Sequence, residues 1–381
     1  MLPVASGEPR RIPHKHFLTS GIDLLAAWWP DGRHLLLGGI GPGDRHLNLM
    51  DVETGASLAF TSGTGSESQA AVAPDGKKIA FTAGSDDLDL LEIVLDGPSV
   101  RPLLATGRNE ELGAWAPSGT QYVYITDAAG TPEIWLRGVS EGWVRSVLAA
   151  SAGVPPTWRV LSDPRVSPDG LRVAYDAYAV EHAIWISQLA GGRPLPLDPD
   201  STDQHSASWS PDGNWVAYRR LHEGKWELAR IPVGGGKPYS LGASGQGGST
   251  RGGTTDWSPT GEWICHLAPK GLELVSPDAG RRRLLGNLRP VYFTFSTDGA
   301  TLFALHRSPT RHWQLAAFDV ARGTERPTRT LPVPASAGLF SLTRHPDGKR
   351  LLSTLSTSRQ DIWIMEGLAK PGGWWSRLWR R

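Results

Sequence analysis

The sequence predicts an all-β fold made of eight copies of a four-stranded antiparallel unit. Three observations lead there. A short phrase recurs eight times, at intervals of 38 to 51 residues. A β-rich run that does not alternate polar with apolar follows each copy. The chain carries 45 Gly and 30 Pro in 381 residues, with neither a collagen period nor a low-complexity run to explain them, so it is rich in turns.

The phrase reads WWPDG (28–32), VAPDG (72–76), WAPSG (115–119), VSPDG (166–170), WSPDG (209–213), WSPTG (257–261), FSTDG (295–299) and RHPDG (344–348). Pro sets φ near −65° at the second position of a tight turn, Asp follows, and Gly takes the positive φ that closes a hairpin. The next strand follows within three residues: Leu35-Leu36-Leu37, Ile79-Ala80-Phe81, Tyr122-Val123-Tyr124, Val173-Ala174-Tyr175, Val216-Ala217-Tyr218, Ile264-Cys265-His266, Leu302-Phe303-Ala304 and Leu351-Leu352-Ser353. Continuous apolar runs suit strands covered on both faces, as when radial sheets pack on their neighbours. Third strands are expected at 46–52, 88–95, 132–138, 182–189, 226–233, 272–277, 313–320 and 361–367. Short, often basic fourth strands follow, such as RPLPL (193–197), and charge on an outer strand protects an edge.

Arranged in a ring, these units make an eight-bladed β-propeller. The expected closure joins the termini. The last blade stops after its third strand, and LPVASGEPRRIPH (2–14) has the form of the strand it lacks. Residues 1–367 then form a single propeller, blade eight being 340–367 plus 2–14, with 368–381 as a basic, Trp-containing tail. Seven blades with one phrase outside the ring is the alternative. Seventeen Trp against eight Phe fit blades that splay outward and need large fillers. Trp28, Trp115, Trp209 and Trp257 before the turns, and Trp135, Trp185 and Trp363 on third strands, are expected in the core. Cys265 aligns with small buried alanines and reads as a core residue.

The repeated phrase followed by an IWI-type strand (IWI at 184–186 and 362–364) resembles the TolB-like, PD40 class of WD40-like propeller repeats. The resemblance spans residues 2–367. Ser118 and Thr260 replace the Asp, Thr297 replaces the Pro, and Arg344 replaces an apolar residue. Such propellers serve as periplasmic TolB, as caps of serine peptidases, and as C-terminal modules of bacterial Ser/Thr kinases and winged-helix regulators. The ends of this chain look most like the last group.

Composition narrows the function classes. The net charge of +1 gives no protein-wide field for nucleic acid or membrane, and a single Cys permits no internal disulfide. With neither a signal-like start nor an apolar run of transmembrane length, the expected location is cytoplasmic, or periplasmic within a longer anchored protein. GVSEG (138–142) resembles a nucleophile elbow in spelling, but a strand leaves it where a helix is required. GASGQGGSTRGG (242–253) joins two strands, so it lacks the geometry of a phosphate cradle. His14 with His16, and His306 with His312, read as surface pairs. No catalytic residue, metal or cofactor is expected.

What remains is recognition. The longer connections share the face opposite the PDG turns, and binding residues concentrate on such loops. Glu111, Asp163, His205, Asp256 and Tyr292 are expected to rim the channel there, with Trp158 and Arg159 as anchors, since Trp and Arg dominate interface hot spots. The expected function is a non-catalytic, monomeric module binding a protein, a peptide or a small ligand for a signalling protein. A TolB-like envelope scaffold and a propeller hydrolase or lactonase working at the channel mouth are the alternatives. In the tail, Trp375, Leu378 and Trp379 share one helical face, read as docked on the propeller rather than on a membrane.

Overall fold

The turn phrase builds its hairpin with its own side chains. In the copy at Ser210–Trp215, the Gly213 N–H donates to the Ser210 carbonyl at 2.9 Å, with Gly213 at φ 70°. The Ser210 hydroxyl donates to Asp212 Oδ1 at 2.5 Å and accepts the Trp215 N–H at 2.9 Å, while the same Oδ1 accepts the Asn214 N–H at 3.0 Å. The copy at Ser296–Thr301 repeats the set. The serine hydroxyl, then the backbone amides, hold the Asp212 and Asp298 carboxyls below their usual range. These local bonds explain why Ser, Asp and Gly recur at fixed spacing.

The computed structural model of the protein describes residues 26–38, 46–62, 66–97, 99–129, 131–140, 142–148, 160–178, 182–199, 203–245, 254–286, 288 and 290–368. Its described residues are all strand, turn and loop. They fall into two compact units, 1–86 with 358–381, and 87–357.

The first unit holds one sheet in the order β1 (Ala26–Trp28), β2 (His34–Gly38), β3 (Leu47–Asp51) and β4 (Ser57–Ala59). Beside it, β5 (Ser66–Val72) pairs with the first part of β6 (Lys78–Val94), Val72 opposite Ile79. Trp29, Leu36, Leu49, Ile79 and Phe81 pack between these sheets. Past β6 lies the end of the chain's last strand, residues 358–366, tied by a 2.7 Å bond from Lys78 Nζ to Glu366 Oε1.

The second unit is built of six blades. β7 (Val100–Leu104) is an outer strand. Blade 1 contains β8 (Glu110–Trp115), β9 (Gln121–Thr126), β10 (Glu133–Gly138) and β11 (Val144–Leu148). Blade 2 has β12 (Val160–Val166), β13 (Arg172–Tyr178), β14 (His182–Gln188) and β15 (Leu195–Pro196). Blade 3 has β16 (Gln204–Trp209), β17 (Trp215–His222), β18 (Lys225–Pro232) and β19 (Tyr239–Ala243). Blade 4 has β20 (Thr255–Trp257), β21 (Ile264–Ala268), β22 (Gly271–Val275) and β23 (Arg282–Gly286). Blade 5 has β24 (Tyr292–Phe295), β25 (Thr301–Arg307), β26 (Trp313–Asp319) and β27 (Thr324–Thr330). Blade 6 is composite: β28 (Gly338–Arg344), the first part of β29 (Arg350–Glu366), the last part of β6, and β7.

The inner strands form a closed cycle, β8, β12, β16, β20, β24, β28 and back to β8. Six apolar clusters fill the six gaps between blades. The closing gap holds Leu90 and Leu352 of blade 6 against Trp115, Tyr122 and Tyr124 of blade 1. Each fully buried aliphatic side chain contributes about 1.5–3 kcal/mol.

The ring of the second unit holds six blades, where the sequence reading placed eight in the whole chain. Eight phrases do yield eight sets of strands, but 88–95 does not stay with the sheet of its own phrase. Residues 87–94 join β28 and 350–357 instead, as the 2.6 Å bond from Arg350 Nη1 to Glu92 Oε1 records. β6 runs on through Gly84-Ser85-Asp86-Asp87, and on the β29 side the turn residues themselves are missing. Residues 354–360, TLSTSRQ, contain no Gly, Pro, Asn or Asp, so nothing reverses the chain and β29 runs straight on. The expected pairing of 361–367 with 2–14 involves residues 2–14, which lie outside those described. Trp115, Trp209 and Trp257 are buried as expected, whereas Trp28 and Trp363 of the first unit are exposed. Among the described residues, that unit has too few sheets to cover an inter-blade side chain on both sides.

Candidate functional site

The six first strands converge on one end of the ring, where they enclose a cavity of about 360 Å³. Its lining follows a rule. Each blade contributes the residue at the turn's Pro position and residues before it: Ala114, Trp115 and Pro117; Arg165, Val166 and Pro168; Ser208, Trp209 and Pro211; Asp256, Trp257 and Pro259; Thr294 and Thr297; Thr343, Arg344 and Pro346. Three indoles and five prolines form the walls. The residues three before the Pro position supply a polar set of Arg165, Ser208, Asp256, Thr294 and Thr343.

A recurrent backbone irregularity precedes three of these five, Arg165, Ser208 and Thr343. In β8, β12, β16 and β28 the register breaks just before the residue three ahead of the Pro. The residue inside each break is left-handed: Leu112 at φ 56°, Asp163 at 49°, Ser206 at 62° and Ser341 at 62°. Non-Gly residues adopt this region at a cost of about 1–2 kcal/mol, and a bulge re-aims the side chains that follow it. Two of the left-handed amides are held by side chains from the preceding blade. Leu112 N–H donates to Thr354 Oγ1 at 2.7 Å, and Ser206 N–H to Asp176 Oδ2 at 3.1 Å.

Asp256 is the electrostatic centre of the cavity. Its Oδ2 accepts the Phe295 N–H at 2.8 Å, the Thr294 hydroxyl at 3.0 Å and Arg344 Nη1 at 3.1 Å. Ser208 donates to Oδ1 at 3.4 Å while accepting the Trp257 N–H at 2.8 Å. The carboxylate therefore joins blades 3, 4, 5 and 6, and it holds Arg344 by one nitrogen. The Arg344 side chain is 31% exposed, enough to meet a ligand. Arg165 pairs with the buried Asp163 at 2.8 Å.

Of the residues expected at the site, only Asp256 lines this cavity. Glu111 sits on β8 and His205 on β16, each on the far side of its strand's register break from the cavity, and Asp163 lies within the break of β12. The strands start earlier than the sequence suggested, so these are strand residues, not residues of the preceding loops. Tyr292 is buried in the core between blades 5 and 6. Trp158 and Arg159 lie outside the described residues. His205 stacks on His182 (ring centres 4.3 Å apart) and on Trp226 at 5.3 Å. Burial, then the neighbouring His205, pushes the His182 imidazole down to about 4.

Sequence reasoning missed Arg165, Arg344, the three tryptophans and the threonines as lining residues. One signal was present. Arg344 replaces an apolar residue in a slot that is Trp, Val or Phe in the other five blades, and a charge tolerated there needs an opening to solvent.

Comparison with known proteins agrees with this architecture. No family model matches the chain. An uncharacterized protein of Agrobacterium fabrum is 24% identical over 188 residues, 47% of this chain and 61% of that protein. The chain thus spans about three fifths of that relative's length. Among solved structures, a protein from Agrobacterium tumefaciens assigned as TolB superposes with a TM-score of 0.57 at 16% identity, covering 72% of this chain and 99% of that one. The chain folds as a TolB-like β-propeller. TolB from Acinetobacter baumannii is also similar, with a TM-score of 0.49 at 15% identity over 87% of this chain and 78% of the other. Within the TolB-like fold, the second unit is the part whose inner strands complete a ring, and the cavity belongs wholly to it.

Proposed function

We propose that the chain is a non-catalytic recognition module of a bacterial signalling protein, and that its axial cavity binds an extended peptide segment bearing a carboxylate. One observation carries this reading. The six blades together deliver indole, proline and hydroxyl groups to one cavity, and of its charged side chains Arg344 is the most exposed. Its volume lies within the range of ligand pockets. Flat apolar walls with a guanidinium at one point suit a peptide backbone laid across prolines and tryptophans, its carboxylate meeting Arg344 in a charge-assisted bond. Asp256 supports binding rather than proton transfer, because four donors already engage it.

The test is selection of peptides from a random display library on the purified chain, followed by affinity measurement with synthetic copies. Selected peptides are expected to share an acidic residue or a free C-terminus. They should also quench or shift tryptophan emission and lose at least tenfold in affinity with Arg344→Gln. Peptides that bind Arg344→Gln and Trp257→Leu as tightly as the parent chain would overturn the assignment of the cavity.

A further inference from the structure

Away from the cavity, blades 2 and 3 meet in a second cluster of polar side chains. Four rings stack across the junction: Tyr178 to His182 at 4.2 Å, His182 to His205 at 4.3 Å, and His205 to Trp226 at 5.3 Å. Two carboxylates face the histidines. Asp203 Oδ1 accepts the His182 backbone N–H at 3.2 Å. Asp176 Oδ2 lies 3.8 Å from His205 Nδ1, too far for a hydrogen bond, and accepts the Ser206 N–H. Asp176 is 5% exposed, and its Oδ1 is buried without a hydrogen-bond partner.

We infer that His182, Asp203 and His205, with Asp176 as the fourth group, form a binding site for a divalent transition-metal ion of the zinc class. One donor atom from each of the first three already lies within 4.8 Å of the others. Three atoms so spaced can all stand within about 2.8 Å of one point, and small side-chain rotations bring them to the roughly 2.0–2.2 Å of bonds from zinc to nitrogen and oxygen. Two imidazole nitrogens with carboxylate oxygens suit zinc, cobalt or iron, whereas calcium and magnesium prefer oxygen alone.

The buried, unpartnered oxygen of Asp176 is the independent sign that something is bound here. Burying a carboxylate oxygen without a partner is costly, and the nearby Arg219 does not relieve it. That guanidinium donates instead to Ser244 Oγ at 2.9 Å, to the Gly245 carbonyl at 2.6 Å and to Thr254 Oγ1 at 3.3 Å. An ion would join the third strand of blade 2 to the first strand of blade 3, at the end of their junction remote from the axial cavity.

The chain, stripped with a chelator and dialysed, is titrated with Zn²⁺ by calorimetry and with Co²⁺ by visible absorption. One equivalent per chain is expected, with a Co²⁺ spectrum of nitrogen and oxygen ligation and no thiolate band. Asp203→Asn and the pair His182→Asn with His205→Asn should each weaken Zn²⁺ binding at least tenfold. Binding unchanged in the double variant would overturn the site. In case the variants fold poorly, anomalous scattering at the zinc edge from crystals of the parent chain decides separately. An ion bonded to both His182 and His205 supports the inference; zinc-soaked crystals without one overturn it.

Discussion

Gly113 gives the sharpest test of how the ring closes. It lies on β8, and nothing in its backbone conformation requires glycine. A Cβ placed there would stand 2.7 Å from Leu352 Cδ2 and 3.2 and 3.3 Å from the two methyls of Leu90. Both leucines are fully buried, so they yield only by disturbing the closing cluster. Gly113→Ala should therefore cost about 1–3 kcal/mol, as overpacking does. In an uncrowded strand the same change would stabilise the chain by about 0.4–1 kcal/mol through the unfolded state. Leu352→Ala alone should cost about 2–5 kcal/mol from the void it leaves.

In the double variant the new methyl enters that void, so the combined cost should fall short of the sum by at least about 1 kcal/mol, a coupling expected only between residues in contact. Urea unfolding followed by tryptophan emission and far-ultraviolet dichroism gives all four midpoints and slopes, and coincidence of the two probes checks the two-state analysis. Costs that add within about 0.5 kcal/mol would mean that 113 and 352 do not touch, and that 350–357 does not complete the ring.

Other consequences are measured in the same way. Asp256→Ala removes the acceptor of a buried Phe295 amide and should cost about 2–4 kcal/mol; Asp256→Asn, which keeps an acceptor, should cost less. His266 is held below its usual range by burial, even though Glu273 accepts from it at 3.0 Å. The native state thus takes up fewer protons than the unfolded chain once pH drops below about 6.5. The His266 contribution is fully present above that pH and declines beneath it. Glu273, lowered by its bond to His266 and then by Arg282, adds a second loss as pH falls through its own folded value. His266→Asn should flatten the first of these declines in midpoints measured from pH 8 to 5. Residues 87–357 expressed alone contain both closing strands and should unfold cooperatively near the full-chain midpoint, whereas 105–357, lacking β7 and the end of β6, should aggregate or lose several kcal/mol.

The repeat was legible because its causes are local. Ser, Pro, Asp and Gly make the turn from atoms within five residues, so each hairpin is written where it forms. Third strands were legible for the same reason, their apolar runs being needed wherever a blade is covered on both sides. The register breaks were not, since Leu112, Asp163, Ser206 and Ser341 have no side chain in common. What they share is a left-handed backbone supported in part from a neighbouring blade, by Thr354 for Leu112 and Asp176 for Ser206. Arg165, Ser208 and Thr343 escaped the sequence reading for that reason: they follow a feature no single strand encodes. The cluster at His182 was half legible. His205 stood out as a residue just ahead of an inner strand, but its partners lie on another blade and in the segment between the two.

Counting phrases counts hairpins, and a hairpin joins only the first two strands of a blade. Which sheet receives the third strand depends on the connection after the second. Where that connection holds Glu223-Gly224, with both residues at positive φ, the chain reverses and the blade keeps its own strand. Where it reads TLSTSRQ, without Gly, Pro, Asn or Asp, extension is favoured and the strand passes to another sheet. One such failure would leave two sheets each short of a partner. Two strands run on in this chain, β6 and β29, and each supplies the strand the other leaves wanting; β6 does so through Gly84-Ser85-Asp86-Asp87, so the lack of turn residues accounts for β29 alone. The number of blades in the ring is therefore governed by the two places where a strand runs on, and the eight places where a turn is present only set an upper bound.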